Sequence, residues 1–194
     1  MNTNKFWMVI GTYNSQTKYF QIVLLVLLFI CTLLVLIKHT LLYFEFFLSV
    51  TNLFIGIVFF GVFGTEPIQK YFALPLFIII GLLFLYESVF NSSDLKMKFN
   101  IKQVVLIFLY MLYPVFSYLF GHKFPEIVTH IMPCPIITFS IALYSAFNKK
   151  SIPIYILLIV WGLTGIKSIL FNAYEDIIFL LAGIYCLFEG TSKN

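Results

Sequence analysis

Residues 121–135 read Gly121-His122-Lys123-Phe124-Pro125-Glu126-Ile127-Val128-Thr129-His130-Ile131-Met132-Pro133-Cys134-Pro135, a stretch that holds two of the three histidines, one of the three cysteines and three of the seven prolines. His122, His130 and Cys134, with Met132 beside them, are soft or borderline ligands that would suit Cu(I), or zinc without the methionine. The same residues also fit a rigid structural loop. Proline fixes φ and removes a donor, His122 can cap a helix end, and Cys134 can serve as a small buried hydrophobe. The spacing matches no established metal motif, and no GxSxG, HExxH or Walker loop occurs in the chain.

Acidic residues supply the second set of candidates. Glu66 precedes Pro67, and Glu175-Asp176 opens the last apolar segment, where acids complement the helix dipole. Lys167 lies about one turn from the end of the preceding segment. It is placed either to snorkel to headgroups or to pair with Asp176, forming an outer polar pocket with His122 and Glu175. Glu45 and Glu87 fall near helix ends, as interfacial residues or, if inside a bundle, as proton-relay sites. Asn52 is expected to bond across helices, and Trp161, Gly165, Ser168 and Asn172 form one face at helical spacing, a packing seam.

The elements that must position these residues follow from composition. The 194 residues are 61% apolar, 20% aromatic and 10% charged, against roughly 25% charged in a soluble domain. A globular interior cannot absorb that much apolar surface; lipid can. All 12 basic residues are lysine, giving a net charge of +4. They are scattered among loops, which excludes the dense Lys/Arg face of a nucleic-acid reader. Three cysteines without CxxC spacing exclude a disulfide framework.

A crossing needs about 20 apolar residues, and in lipid only a helix or a closed barrel satisfies its own backbone. Clear runs cover 19–37, 44–63, 71–90, 104–120 and 152–171; weaker ones cover 135–147 and 174–188. The fold class is therefore an all-α transmembrane bundle of about seven helices, with six as the alternative. The weak 135–147 run is short enough to be re-entrant or buried instead. Residues 1–18 read as an interfacial segment with Trp7 at headgroup level, and 19–190 as the bundle. The first run lacks a small-residue cleavage site and reads as a helix, not a signal peptide. Seven crossings put Lys5, Lys18, Lys70 and Lys123 on one face, and Lys38, Lys96, Lys98, Lys102, Lys149, Lys150 and Lys193 on the other. The second face is then cytoplasmic, the N-terminus outside and the C-terminus inside.

Gly121-His122, Pro125, Pro133-Cys134-Pro135 and Thr138-Phe139 resemble the signature of a family of bacterial membrane proteins catalogued as domain of unknown function family 6064. Tyr13-Asn14 with Gln21, the 56–67 region, and Trp161, Gly165 and Asp176 with Leu181-Ala182-Gly183 are similar in order, so the resemblance covers nearly the whole chain. Two positions depart from the family pattern. Lys18-Tyr19-Phe20 stands where the family often has Trp-Pro, and Phe59-Phe60 where it often has Tyr-His. The resemblance implies a multi-span membrane protein and a shared outer constellation of Tyr13, Asn14, His122, Cys134 and Asp176. It assigns no cofactor and no reaction.

Three functions compete on these observations. One is small-solute or ion binding, as in a transporter, permease or sensor, through Tyr13, Asn14, His122, Lys167 and Asp176. The second is a membrane-embedded metalloprotein or enzyme using His122, His130 and Cys134. The third is an accessory subunit. All imply the bilayer as partner and a bacterial inner (plasma) membrane location, with a homo-oligomer or protein partner as a further expectation. A shared pocket requires Tyr13, His122, Lys167 and Asp176 to approach one another.

Overall fold

The computed structural model describes residues 3–38, 40–90, 100–147 and 151–191, and these are helical apart from connecting turns. The chain divides into two compact units, Thr12–Lys96 and Met1–Gly11 with Met97–Asn194.

Helix α1 runs unbroken from Thr3 to Lys38. The interfacial segment expected over 1–18 is thus continuous with the first apolar run. No proline interrupts it, and its polar residues find partners along the helix. Thr17 Oγ donates to the Tyr13 carbonyl at 2.7 Å, and Gln21 Nε2 donates to Asn14 Oδ1 at 3.1 Å and to Thr17 Oγ at 3.0 Å. The part of α1 from Thr12 belongs to the first unit, with α2 (Leu42–Phe54), its π-helical continuation Ile55–Val62, and α3 (Leu74–Phe90), which a π-helical turn at Gln69–Ala73 precedes. Tyr13 is fully buried there against Phe54, Phe59 and Phe63. α2 packs on α3, and Gly81 makes that approach close: a Cβ there would meet Leu53 Cγ at 2.7 Å.

In the other unit, α4 (Ile101–Met111) and α5 (Tyr113–Leu119) are bent by 55° at a one-residue break. Pro114, in the first turn of α5, explains the bend, because its ring clashes with the carbonyl four residues back and it has no N–H to give. Asn100 and Gln103 form a reciprocal capping box that starts α4. α6 (Pro133–Ser145) begins on two prolines suited to a first helical turn. Every residue from 135 to 147 is buried, with α4, α7 and α8 packed around α6. Gln103 Nε2 ties α4 to α6 by donating to Ser145 Oγ at 3.2 Å. α7 (Ile152–Leu163) tightens into a 3₁₀ segment, Thr164–Phe171, and a 3₁₀ turn at Tyr174–Asp176 leads into α8 (Ile177–Thr191).

Four helical stretches are long and apolar enough to cross a bilayer: Thr3–Val35, Leu42–Val62, Gln69–Phe90 and Ile152–Phe171. The bent α4–α5 pair makes a fifth if it is one crossing. With 13 and 15 residues, α6 and α8 fall short of that length. Large apolar side chains such as Phe20, Phe29, Phe108, Leu170 and Phe188 are exposed.

Candidate functional site

Two helix ends aim the chain into one buried acidic centre in the unit that holds α4 to α8. α5 closes at Gly121, whose φ is +99°. His122 N donates to Ser117 O at 3.1 Å and Gly121 N to Tyr118 O at 3.0 Å, the paired bonds of a Schellman closure. The 3₁₀ segment after α7 closes in the same way. Asn172 takes the left-handed conformation at φ 58°, while Ala173 N donates to Ser168 O at 3.0 Å and Asn172 N to Ile169 O at 3.3 Å. The chain turns at once into Tyr174–Asp176, delivering two acids to the start of α8.

Those acids do more than complement a dipole. Glu175 is 1% exposed and Asp176 5%, so both carboxyls have left solvent. The Tyr113 hydroxyl donates to Asp176 Oδ1 at 2.7 Å, and the Cys134 thiol is a second donor to the same carboxyl. Ser117 Oγ donates to Glu175 Oε1 at 2.8 Å and accepts from Val128 N at 3.0 Å, which pins the loop after α5 to the acids. Glu175 Oε2 is buried with no hydrogen-bond partner. Among the described residues every donor at the centre is neutral. Burial pushes the Asp176 carboxyl up to about 7; the Tyr113 and Cys134 bonds oppose that shift and the neighbouring Glu175 charge adds to it.

The other expected site residues are distributed differently. His122 is half-buried and its ring stacks on Trp7, centroids 3.5 Å apart. Trp7 is itself buried, and its Nε1 donates to Phe171 O at 3.0 Å. Phe6 stacks on Phe171 beside it. Trp7 is therefore a packed residue of this unit: one helical turn presents both rings to the two closures just described. His130 Nε2 lies 3.2 Å from Met111 O and its ring meets Tyr110 edge-on. Burial lowers its pKa, and the bond to Met111 partly offsets this. Lys167 is exposed, and Asp176 takes its hydrogen bonds from Tyr113 and Cys134 instead. Tyr13 and Asn14 belong to the other unit.

Among the described residues no group of three His, Cys, Asp or Glu side chains could hold a metal ion. His122, His130 and Cys134, expected as one ligand set, have separate partners: Trp7, Met111 and Asp176. The reason is local. His122 is committed to the helix closure, His130 to the carbonyl of Met111 where the chain bends, and Cys134 to the first turn of α6.

Tyr113 and Ser117 are the members missed in the sequence, whereas Glu175 was expected in a polar pocket with His122 and Lys167. A signal for the missed pair was there: Tyr113 and Ser117 are polar residues four apart in an apolar run, hence on one helix face. Replacing Ser117 by alanine strands both the Val128 amide and Glu175 Oε1. It is expected to cost about 2–4 kcal/mol, read as a lowered unfolding midpoint in detergent; a change below about 0.5 kcal/mol would contradict the bonding described.

No curated protein and no solved structure matches the chain. A family model described as a family of unknown function (DUF6064) matches residues 3–192, nearly the whole length over which motif and order resembled it, and the chain belongs to that family.

Proposed function

We propose that the protein is a multi-pass integral membrane protein that binds a small cation or cationic solute at the acidic centre of Glu175 and Asp176, in the manner of a transporter, permease or sensor. One observation carries this reading. Two adjacent carboxyls are buried with, among the described residues, only neutral donors around them and no partner for Glu175 Oε2. Buried charge without a counter-charge costs several kcal/mol, and a positively charged ligand removes that cost. Ser117, Tyr113 and Cys134 orient the carboxyls from α5 and α6, leaving the Glu175 oxygen as the open acceptor.

Equilibrium binding of sodium, potassium and a tetraalkylammonium ion to protein in lipid nanodiscs tests this. The expected result is saturable uptake of at least one of them, weakened tenfold or more in Glu175→Gln. No saturable uptake of any of the three would overturn it.

A seven-pass topology in a bacterial inner membrane, N-terminus outside and C-terminus cytoplasmic, remains part of the proposal. The lysine distribution supports it. Labelling of cysteines introduced at the two termini is expected to report opposite sides. Labelling from the same side would establish an even number of crossings instead.

A further inference from the structure

We infer that Glu45 in α2 is a proton-binding site, separate from the acidic centre, whose carboxyl carries a proton at neutral pH. Glu45 lies in the first turn of α2 and is 5% exposed. Its Oε2 is buried and has no hydrogen-bond partner among the described residues. Ser49 and Asn52 follow at the fourth and seventh positions, on the same helix face, and are 1% and 0% exposed. Asn52 Nδ2 is spent on the Leu48 carbonyl at 2.7 Å, while its Oδ1 is buried without a donor. A face of α2 thus carries two acceptor oxygens, Glu45 Oε2 and Asn52 Oδ1, that the described residues do not satisfy.

The elements packed against α2 decide what Glu45 meets. α3 brings Glu87, half-buried and close enough for its charge to act on Glu45. The π-helical segment Ile55–Val62 has no ionisable residue. On α1, Cys31 is buried and neutral in kind, and Lys38 is exposed in the last turn. Among the described residues no cation is therefore supplied to Glu45, and the formal charge shown to act on it, Glu87, has the same sign. An ionised carboxylate in that setting carries an uncompensated desolvation cost, whereas a neutral carboxyl costs far less to bury. A metal ion would need several anionic or carbonyl ligands converging, and no such group of three exists among the described residues. A proton needs one. Binding forms an O–H bond on the Glu45 carboxylate and cancels its charge; release returns the proton to Glu87 or to water at the helix end.

Infrared spectra of the full chain in nanodiscs at pH 7 test this by difference. Wild type minus Glu45→Gln is expected to show the C=O stretch of a protonated carboxyl, lost in the variant, moved in frequency in Glu45→Asp and retained in Asp176→Asn. Glutamine matches the size and neutrality of the protonated acid, so Glu45→Gln is also expected to fold and melt as the wild type does. A difference spectrum showing carboxylate bands instead, or a Glu45→Gln protein that no longer folds, would overturn the inference. Because Asp176→Asn removes a group at the acidic centre only, loss of the band in that variant would assign it to the centre and count against Glu45.

Discussion

Protein carrying Gly183→Leu is expected not to assemble α7 on α8, with a loss above about 3 kcal/mol. The two helices meet glycine to glycine. A Cβ on Gly183 would lie 2.6 Å from the Gly162 carbonyl carbon and 2.8 Å from its Cα, and one on Gly162 would lie 2.6 Å from Gly183 Cα. Overpacking that side chains can absorb costs about 1–3 kcal/mol. Here the obstacle is backbone, which has no rotamer to move to. Gly165 extends the same close approach, with Phe179 Cδ1 at 2.8 Å and Leu180 N at 3.0 Å from a Cβ placed there. Small residues are what let membrane helices approach this closely, and the acids at the start of α8 depend on it. Gly121→Ala serves as the contrast. Its Cβ meets nothing within 4 Å, so only the strain of φ +99° is paid, about 1 kcal/mol. Unfolding midpoints of the three proteins in one detergent check the order; equal midpoints for Gly183→Leu and Gly121→Ala would refute the packing argument.

Stability is expected to fall by roughly 2–3 kcal/mol through Asp176 as pH rises from 5 to 8. The Asp176 carboxyl is pushed from 3.8 up to about 7 in the folded chain. The native state therefore holds a proton that the unfolded state has released between about pH 4 and 7. Its contribution is complete below the unfolded value and is lost as pH rises through about 7. His130 works the other way. Its pKa is lowered by burial, so its contribution is present above the ordinary histidine value and is lost as pH falls through its folded value. The two oppose each other, and the difference between wild type and Asp176→Asn isolates the aspartate. That difference is expected to favour the wild type more at pH 5 than at pH 8. A pH-independent difference would show that Asp176 is not held in a neutral-donor site.

Much of the fold was legible because lipid imposes one rule, a helix about 20 apolar residues long, and the runs at 44–63, 71–90 and 152–171 match helical stretches within a few residues. What length could not decide was the role of the short run from Pro135 to Phe147. Thirteen apolar residues suit both a weak crossing and a buried helix, and only packing shows that α6 is covered on all sides. The continuity of α1 was hidden for a related reason. Asn14, Thr17 and Gln21 look like a polar break in sequence, yet on a helix they stand one turn apart and bond to one another. At the acidic centre the acids were visible, but their burial was not. Glu175 has an adequate explanation as a dipole partner until Ser117 and the Val128 amide are placed against it. The pairing of Cys134 with Asp176 joins residues 42 positions apart, and no local pattern encodes it.

The central claim is that the protein supplies no positive charge to its buried carboxyl pair. The chain has two aspartates, Asp94 and Asp176, so protein labelled with carbon-13 at aspartate carboxyls gives two signals, assigned by the loss of one in Asp176→Asn. Titrating both by NMR in the absence of added metal cations tests the claim directly. The account predicts that the Asp176 signal titrates near 7. An Asp176 signal that titrates in the ordinary carboxylate range, near 4, would contradict it.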